Sequence, residues 1–121
     1  LVQFNEYEVE NEMFRQASIY SYYYGLMGMA KKMVSERNLA LTRFMSQLRK
    51  EAKASSSVKL TAKDLDDLVF ADEQYFQRQT AVDDATFKYE LLKGLVRALE
   101  QKKDMLQQSS ANKREETKLY K

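Results

Sequence analysis

MFRQASIYSYYYGLMGMAKKMVSERNLALTRFMSQLRKEAK, from Met13 to Lys53, decides the fold. At spacings of three and four it reads Met13, Ala17, Tyr20, Tyr24, Met27, Lys31, Val34, Asn38, Leu41, Met45, Leu48, Ala52. Ten of these twelve positions are apolar or aromatic, a helical stripe sustained for about eleven turns. A second row, Ile19, Tyr23, Leu26, Ala30, Met33, Ala40 and Phe44, lies beside it. Two adjacent rows make a face wider than one partner helix covers. The same stretch holds eight basic residues (Arg15, Lys31, Lys32, Arg37, Arg43, Arg49, Lys50, Lys53) against Glu36 and Glu51, a local charge of +6. A helix greasy on one side and basic on the other calls for helical partners and an anion.

The surrounding composition agrees. The 121 residues fit one domain, here a single helical hairpin over 1–121. There is no proline and only Gly25, Gly28 and Gly94, so little interrupts long helices. β-branched residues are sparse and no Asn-Gly or Asp-Gly turn occurs. The expected class is all-α. The absence of cysteine excludes disulfides and leaves the redox compartment open. No apolar run approaches about 18 residues, so no membrane span is expected. The acidic N-terminus lacks an apolar core segment, so no signal peptide is expected. A first residue of Leu1 fits a trimmed or processed product.

Asn5 with Glu8 reads as a capping box and Phe4 with Val9 as its hydrophobic staple, starting helix 1 near Asn5. Asn11 is a rival start. Helix 1 is expected over about 5–54, some 75 Å at ~1.5 Å per residue. Ser55-Ser56-Ser57 opens a turn over 55–60. Thr61 is then an N-cap with Asp64 as reciprocal partner, and Leu60 with Leu65 staples the turn. One second helix is expected from Ala62 to about Gln107, with a polar extension over 109–121 that is either helical or disordered. The short turn makes the two helices antiparallel neighbours. Two rods bury one stripe each, and each Leu, Met or Phe left wet forgoes roughly 1.5–3 kcal/mol. A homo-oligomer sharing second faces is therefore expected, with Tyr20, Tyr23, Tyr24, Met27, Leu91 and Leu95 at its interface. Gly25 and Gly28 would admit a close helix crossing.

Without histidine or cysteine, the commonest general base and the thiol nucleophile are missing, and His/Cys metal clusters are impossible. No glycine-rich phosphate loop occurs. Asp66-Asp67 and Asp83-Asp84 are sequence neighbours pointing about 100° apart on a helix, not carboxylate dyads. No enzyme, cofactor or metal is expected. For the basic residues two readings stand. In a hairpin centred near residue 57, position i faces about 115 − i, which sets Arg43 beside Asp72, Arg49 beside Asp66 and Lys31 beside Asp84. Residues 61–84 carry seven acids against Lys63 and Arg78, so interhelical charge pairing is one reading. The other is a polyanion track of Lys31, Lys32, Arg37, Arg43, Arg49, Lys50 and Lys53. Lys32, Arg37, Lys50 and Lys53 have no evident partner in that register. Tyr20, Tyr22, Tyr23 and Tyr24 suit packing or base stacking. Residues 85–121 hold nine basic and five acidic residues, with Lys102, Lys103, Lys113 and Arg114 a second basic patch near Glu12.

The layout resembles the phage recombination mediators of the UvsY-type family, known from T-even phages and other phages. The resemblance covers most of the chain. A Tyr-rich half (Tyr20 to Tyr24) precedes a basic half (Leu39-Ala-Leu-Thr-Arg43, Leu48-Arg-Lys50). An acidic approach follows, Asp72-Glu-Gln-Tyr75, and then the run from Tyr89 to Lys103. The resemblance implies an all-helical protein that assembles into rings of six or seven chains and binds single-stranded DNA. It further implies loading of a RecA-like recombinase onto strands covered by single-strand-binding protein, in the cytoplasm of an infected bacterial host. The family's Lys-x-Arg pair late in the first long helix is not preserved; Arg43 or Arg49-Lys50 is its nearest equivalent. The rival reading is a structural coiled-coil or hairpin module. Secreted hairpin-dimer families carry a Trp-x-Gly turn that this chain lacks, and a membrane-lying helix is disfavoured by the acids of helix 2.

Overall fold

The computed structural model describes residues Glu6 to Leu119. The fold is all-α: α1 spans Glu6–Ser55, α2 Ala62–Ala71 and α3 Glu73–Leu119, with no strand among the described residues. The Asn5 cap and Phe4 staple lie outside those residues. Asn11 is inside α1, so it is not the start. Among the described residues no helix is long and apolar enough to cross a membrane.

The end of α1 and the turn follow from their hydroxyls. Ser56 N donates to Ala52 O at 3.1 Å, satisfying one of the carbonyls the helix leaves free, and Ser55 Oγ donates to Glu51 O at 2.9 Å. Ser56 Oγ then accepts from Val58 N at 3.2 Å. The expected capping box forms: Asp64 N donates to Thr61 Oγ1 at 3.2 Å and Thr61 N to Asp64 Oδ2 at 3.0 Å. Hydrogen bonding to its carboxylate, by the Thr61 backbone N–H first and the Thr61 hydroxyl second, holds the Asp64 carboxyl below its ordinary value of 3.8. Leu65 is buried and Leu60 half-buried behind the box.

The single second helix expected from Ala62 to Gln107 is in fact two. Asp72 is extended, with φ −76° and ψ 131°. Its N–H donates to Val69 O at 3.2 Å, closing α2. Its Oδ1 accepts from Gln74 N at 2.8 Å and its carbonyl from Tyr75 N at 3.1 Å, opening α3. One aspartate therefore terminates one helix and caps the next. The tail is helical to Leu119.

The chain divides into two compact units, residues 1–28 with 90–121 and residues 29–89. In the first, Val9, Gln16, Val96 and Ser110 are buried. Tyr20 Oη donates to Glu100 Oε1 at 2.9 Å, with Lys103 Nζ 5.6 Å from the Tyr20 ring centre. Glu12 meets Lys102 at 3.9 Å, the neutralisation expected for that basic patch, and accepts from Gln16 Nε2 at 3.1 Å. The Gln16 amide oxygen is buried without a partner. In the second unit, Leu41, Leu65, Val69, Val82 and Ala85 are buried, and Val69 is sealed completely. Phe70 packs edge-on to Tyr75 at 5.2 Å.

The seam of α1 differs from the expected row. Positions 9, 13, 16, 20, 23, 27, 30 and 34 are buried or half-buried, as are 41, 45, 48 and 52. Ala17, Tyr24, Lys31 and Asn38 are exposed, and Gln16, Tyr23 and Ala30 take the places of the first three. Lys31 and Asn38 explain the choice, because a seam through them would bury an ammonium and an amide. Nothing lies within 4 Å of a Cβ placed on Gly25 or Gly28, so the chain itself makes no close crossing there.

Candidate nucleic-acid interface

Seven residues of α1 were expected to hold a polyanion, and α1 disposes them on different sides. At about 100° per residue, Lys32, Arg43 and Lys50 fall within about 20° of one another. Lys31 and Arg49 lie about 100–120° to one side and Arg37 about 120–140° to the other. Arg49 is the residue the packing claims. Its Nη2 donates to Asp66 Oδ1 at 2.8 Å, the pair expected from the hairpin register. The other two pairs from that register, Arg43 with Asp72 and Lys31 with Asp84, are not formed among the described residues. Lys32, expected to lack a partner, reaches Glu36 at 4.0 Å on an exposed surface. Lys53 lies by the turn, where Ser56, Ser57 and Lys59 share a second concavity with it.

Arg43 and Lys50 come together with a residue the sequence reading passed over. They line an open groove of about 730 Å³ with Phe44, Ser46, Gln47 and Arg78. Arg78, on α3, carries its guanidinium carbon 4.9 Å from the centre of the Phe44 ring. No acid lines this groove, and its three cations form no ion pair among the described residues. Gln47, at the groove's edge, donates through Nε2 to Glu51 Oε1 at 3.0 Å, and Glu51 and Asp72 line an adjoining concavity. Such a groove can hold phosphate oxygens by charge and hydrogen bonding, with an aromatic surface at hand. The expected hairpin register did not bring Arg78 to Phe44. A continuous helix sets residue 78 opposite Arg37 rather than Phe44.

No family model, curated protein or solved structure matches the chain.

The residues expected at an oligomer interface divide in two. Tyr20, Tyr23 and Met27 are half-buried within the chain. Tyr24, Leu91 and Leu95 are exposed, and Leu91 keeps 59% of its surface. Other large apolar side chains are also exposed, including Phe14, Phe76 and Phe87. Tyr20 and Tyr24 sit 5.8 Å apart between ring centres, and Tyr22 meets Tyr23 edge-on at 5.2 Å. The Tyr20 hydroxyl titrates above its ordinary 10.0, chiefly because it donates to the Glu100 carboxylate.

Proposed function

We propose that this chain is a non-enzymatic, single-stranded-DNA-binding recombination mediator that acts as a homo-oligomer of antiparallel helical hairpins. In this reading it loads a RecA-like recombinase onto strands covered by single-strand-binding protein, in the cytoplasm of an infected bacterial host. The observation that carries it is the groove of Arg43, Lys50 and Arg78, three cations without carboxylate partners beside the half-buried ring of Phe44. Phosphates are the partners such cations lack. The exposed apolar side chains of α1 and α3 support assembly, because monomers rarely leave so many large groups wet. Six or seven copies would repeat a modest groove around a ring and turn weak contacts into avidity.

Native mass with and without a short oligothymidylate tests this. A six- or seven-chain species that gains the mass of bound strand is expected. A monomer that ignores the strand refutes it. The second reading, a structural hairpin module, draws on Arg49–Asp66 and Glu12–Lys102, where basic residues are spent on internal pairing. A dimer without strand binding would favour that module.

A further inference from the structure

Arg78 is not held as a free cation is. Its guanidinium lies over Phe44, a half-buried ring on α1, while the rest of the residue is exposed on α3. A guanidinium is a flat, delocalised plate that stacks on aromatic rings. Arg78 also lines the groove and is exposed, so its guanidinium borders both the Phe44 ring and the open groove. Lys50 and Arg43 line the same groove, on one helical stripe about 10 Å long at ~1.5 Å per residue. Ser46 and Gln47 lie between them and offer neutral hydrogen-bonding groups.

We infer that the Phe44–Arg78 stack is a nucleobase platform: one base of a single strand lies on the outer face of the Arg78 guanidinium, while the edge N–H groups of Arg78, with Arg43 and Lys50, hold the neighbouring phosphates. This deepens the proposed function and rests on it. The platform adds a property that cations alone do not provide. Phosphate contacts are indifferent to whether bases are present or paired, whereas a stacked base must be unpaired and reachable. The groove's volume suits it. About 730 Å³ lies within the range of roughly 300–1,000 Å³ typical of sites for compact organic ligands. An open groove also lets the strand enter sideways, without threading an end. Sequence preference should be weak, since every base has a flat face. Duplex DNA, whose bases are stacked on one another, gains nothing from the plate.

The design predicts that charge and stacking separate. Arg78→Lys keeps the positive charge and removes the plate. Phe44→Leu keeps the apolar packing and removes the ring that orients the plate. Fluorescence anisotropy on the full chain, at one fixed salt concentration, compares a labelled oligothymidylate with an abasic strand of equal length. The unaltered protein should prefer the base-bearing strand by at least about fivefold, the lower end for one stacked base. Both variants should lose that preference, each binding the two strands alike. Equal affinity of the unaltered protein for the two strands overturns the platform, and so does a preference that survives Arg78→Lys. In either case salt-dependent strand binding would leave the broader functional reading standing. Failure to bind either strand overturns both. Should Phe44→Leu lose its helical circular dichroism, Arg78→Lys and the strand comparison on the unaltered protein still decide.

Discussion

Replacing Arg43 and Lys50 together by alanine should change how strand binding depends on salt by a fraction fixed by the groove itself. Three unpaired cations line it, Arg43, Lys50 and Arg78. Each phosphate neutralised on a single strand contributes a slope of about −0.7 to log K against log salt, so an engaged chain contributes about −2. Raising salt from about 50 to about 200 mM then weakens binding some 15- to 20-fold for each engaged chain. The double variant keeps Arg78 alone, and its slope should fall to about one third of the original. That ratio holds whatever number of chains engages the strand. Arg49→Ala is the internal control. Its guanidinium already serves Asp66 at 2.8 Å, so the slope should stay unchanged, with a stability loss of about 1 kcal/mol or less for a partly exposed pair. The assay is anisotropy of a labelled oligothymidylate over a salt series. A slope unaffected by the double variant, or one that falls as far with Arg49→Ala, would refute the assignment of phosphate contacts to this groove.

Further outcomes follow from the fold. Thr61→Ala removes the hydroxyl that accepts from Asp64 N and should cost about 1 kcal/mol in urea unfolding; an unchanged midpoint would mean α2 starts without its cap. The Asp64 carboxyl is held below 3.8 in the folded chain, so its contribution is present above that value and lost as pH falls through the lower folded value. Acid unfolding of Asp64→Asn should consequently show a shallower loss of stability below pH 3.8 than the unaltered chain; parallel curves would contradict the linkage. Val69→Ala empties a sealed site and should cost about 2 kcal/mol by thermal unfolding. Gly25→Ala meets open space on a helix and should stabilise the isolated chain by roughly 0.5–1 kcal/mol. If native mass falls instead, Gly25 is where a second copy crosses.

Local signals in this sequence were legible where chemistry within four residues sets the structure. Thr61 with Asp64 is one case, because the two side chains satisfy each other's backbone without help from elsewhere. The extent of α1 is another, since nothing between Glu6 and Ser55 interrupts a helix. Arg49–Asp66 was legible because it sits before the first irregularity, at a residue sum of 115. Phe44 with Arg78 sums to 122, seven residues off that register, and lies past the break at Asp72. That break was illegible because an aspartate in a polar helix stretch and an aspartate that accepts from the N–H two residues on look identical as text. The seam through Gln16, Tyr23 and Ala30 was hidden for a similar reason. Two apolar rows lay side by side, and only the partner helix chooses between them.

The joint at Asp72 also bears on how such a chain can change over generations. A residue inserted or deleted inside α1 would turn everything beyond it by about 100° and spoil the packing of a fifty-residue helix. At Asp72 the helical ladder is already open, so a length change there needs no broken ladder. It would swing the first turns of α3 around their axis and carry Arg78 away from Phe44, with both side chains intact. The gain or loss of the groove is thus available to a lineage as a single length change at one joint, separately from any substitution among the residues that line it.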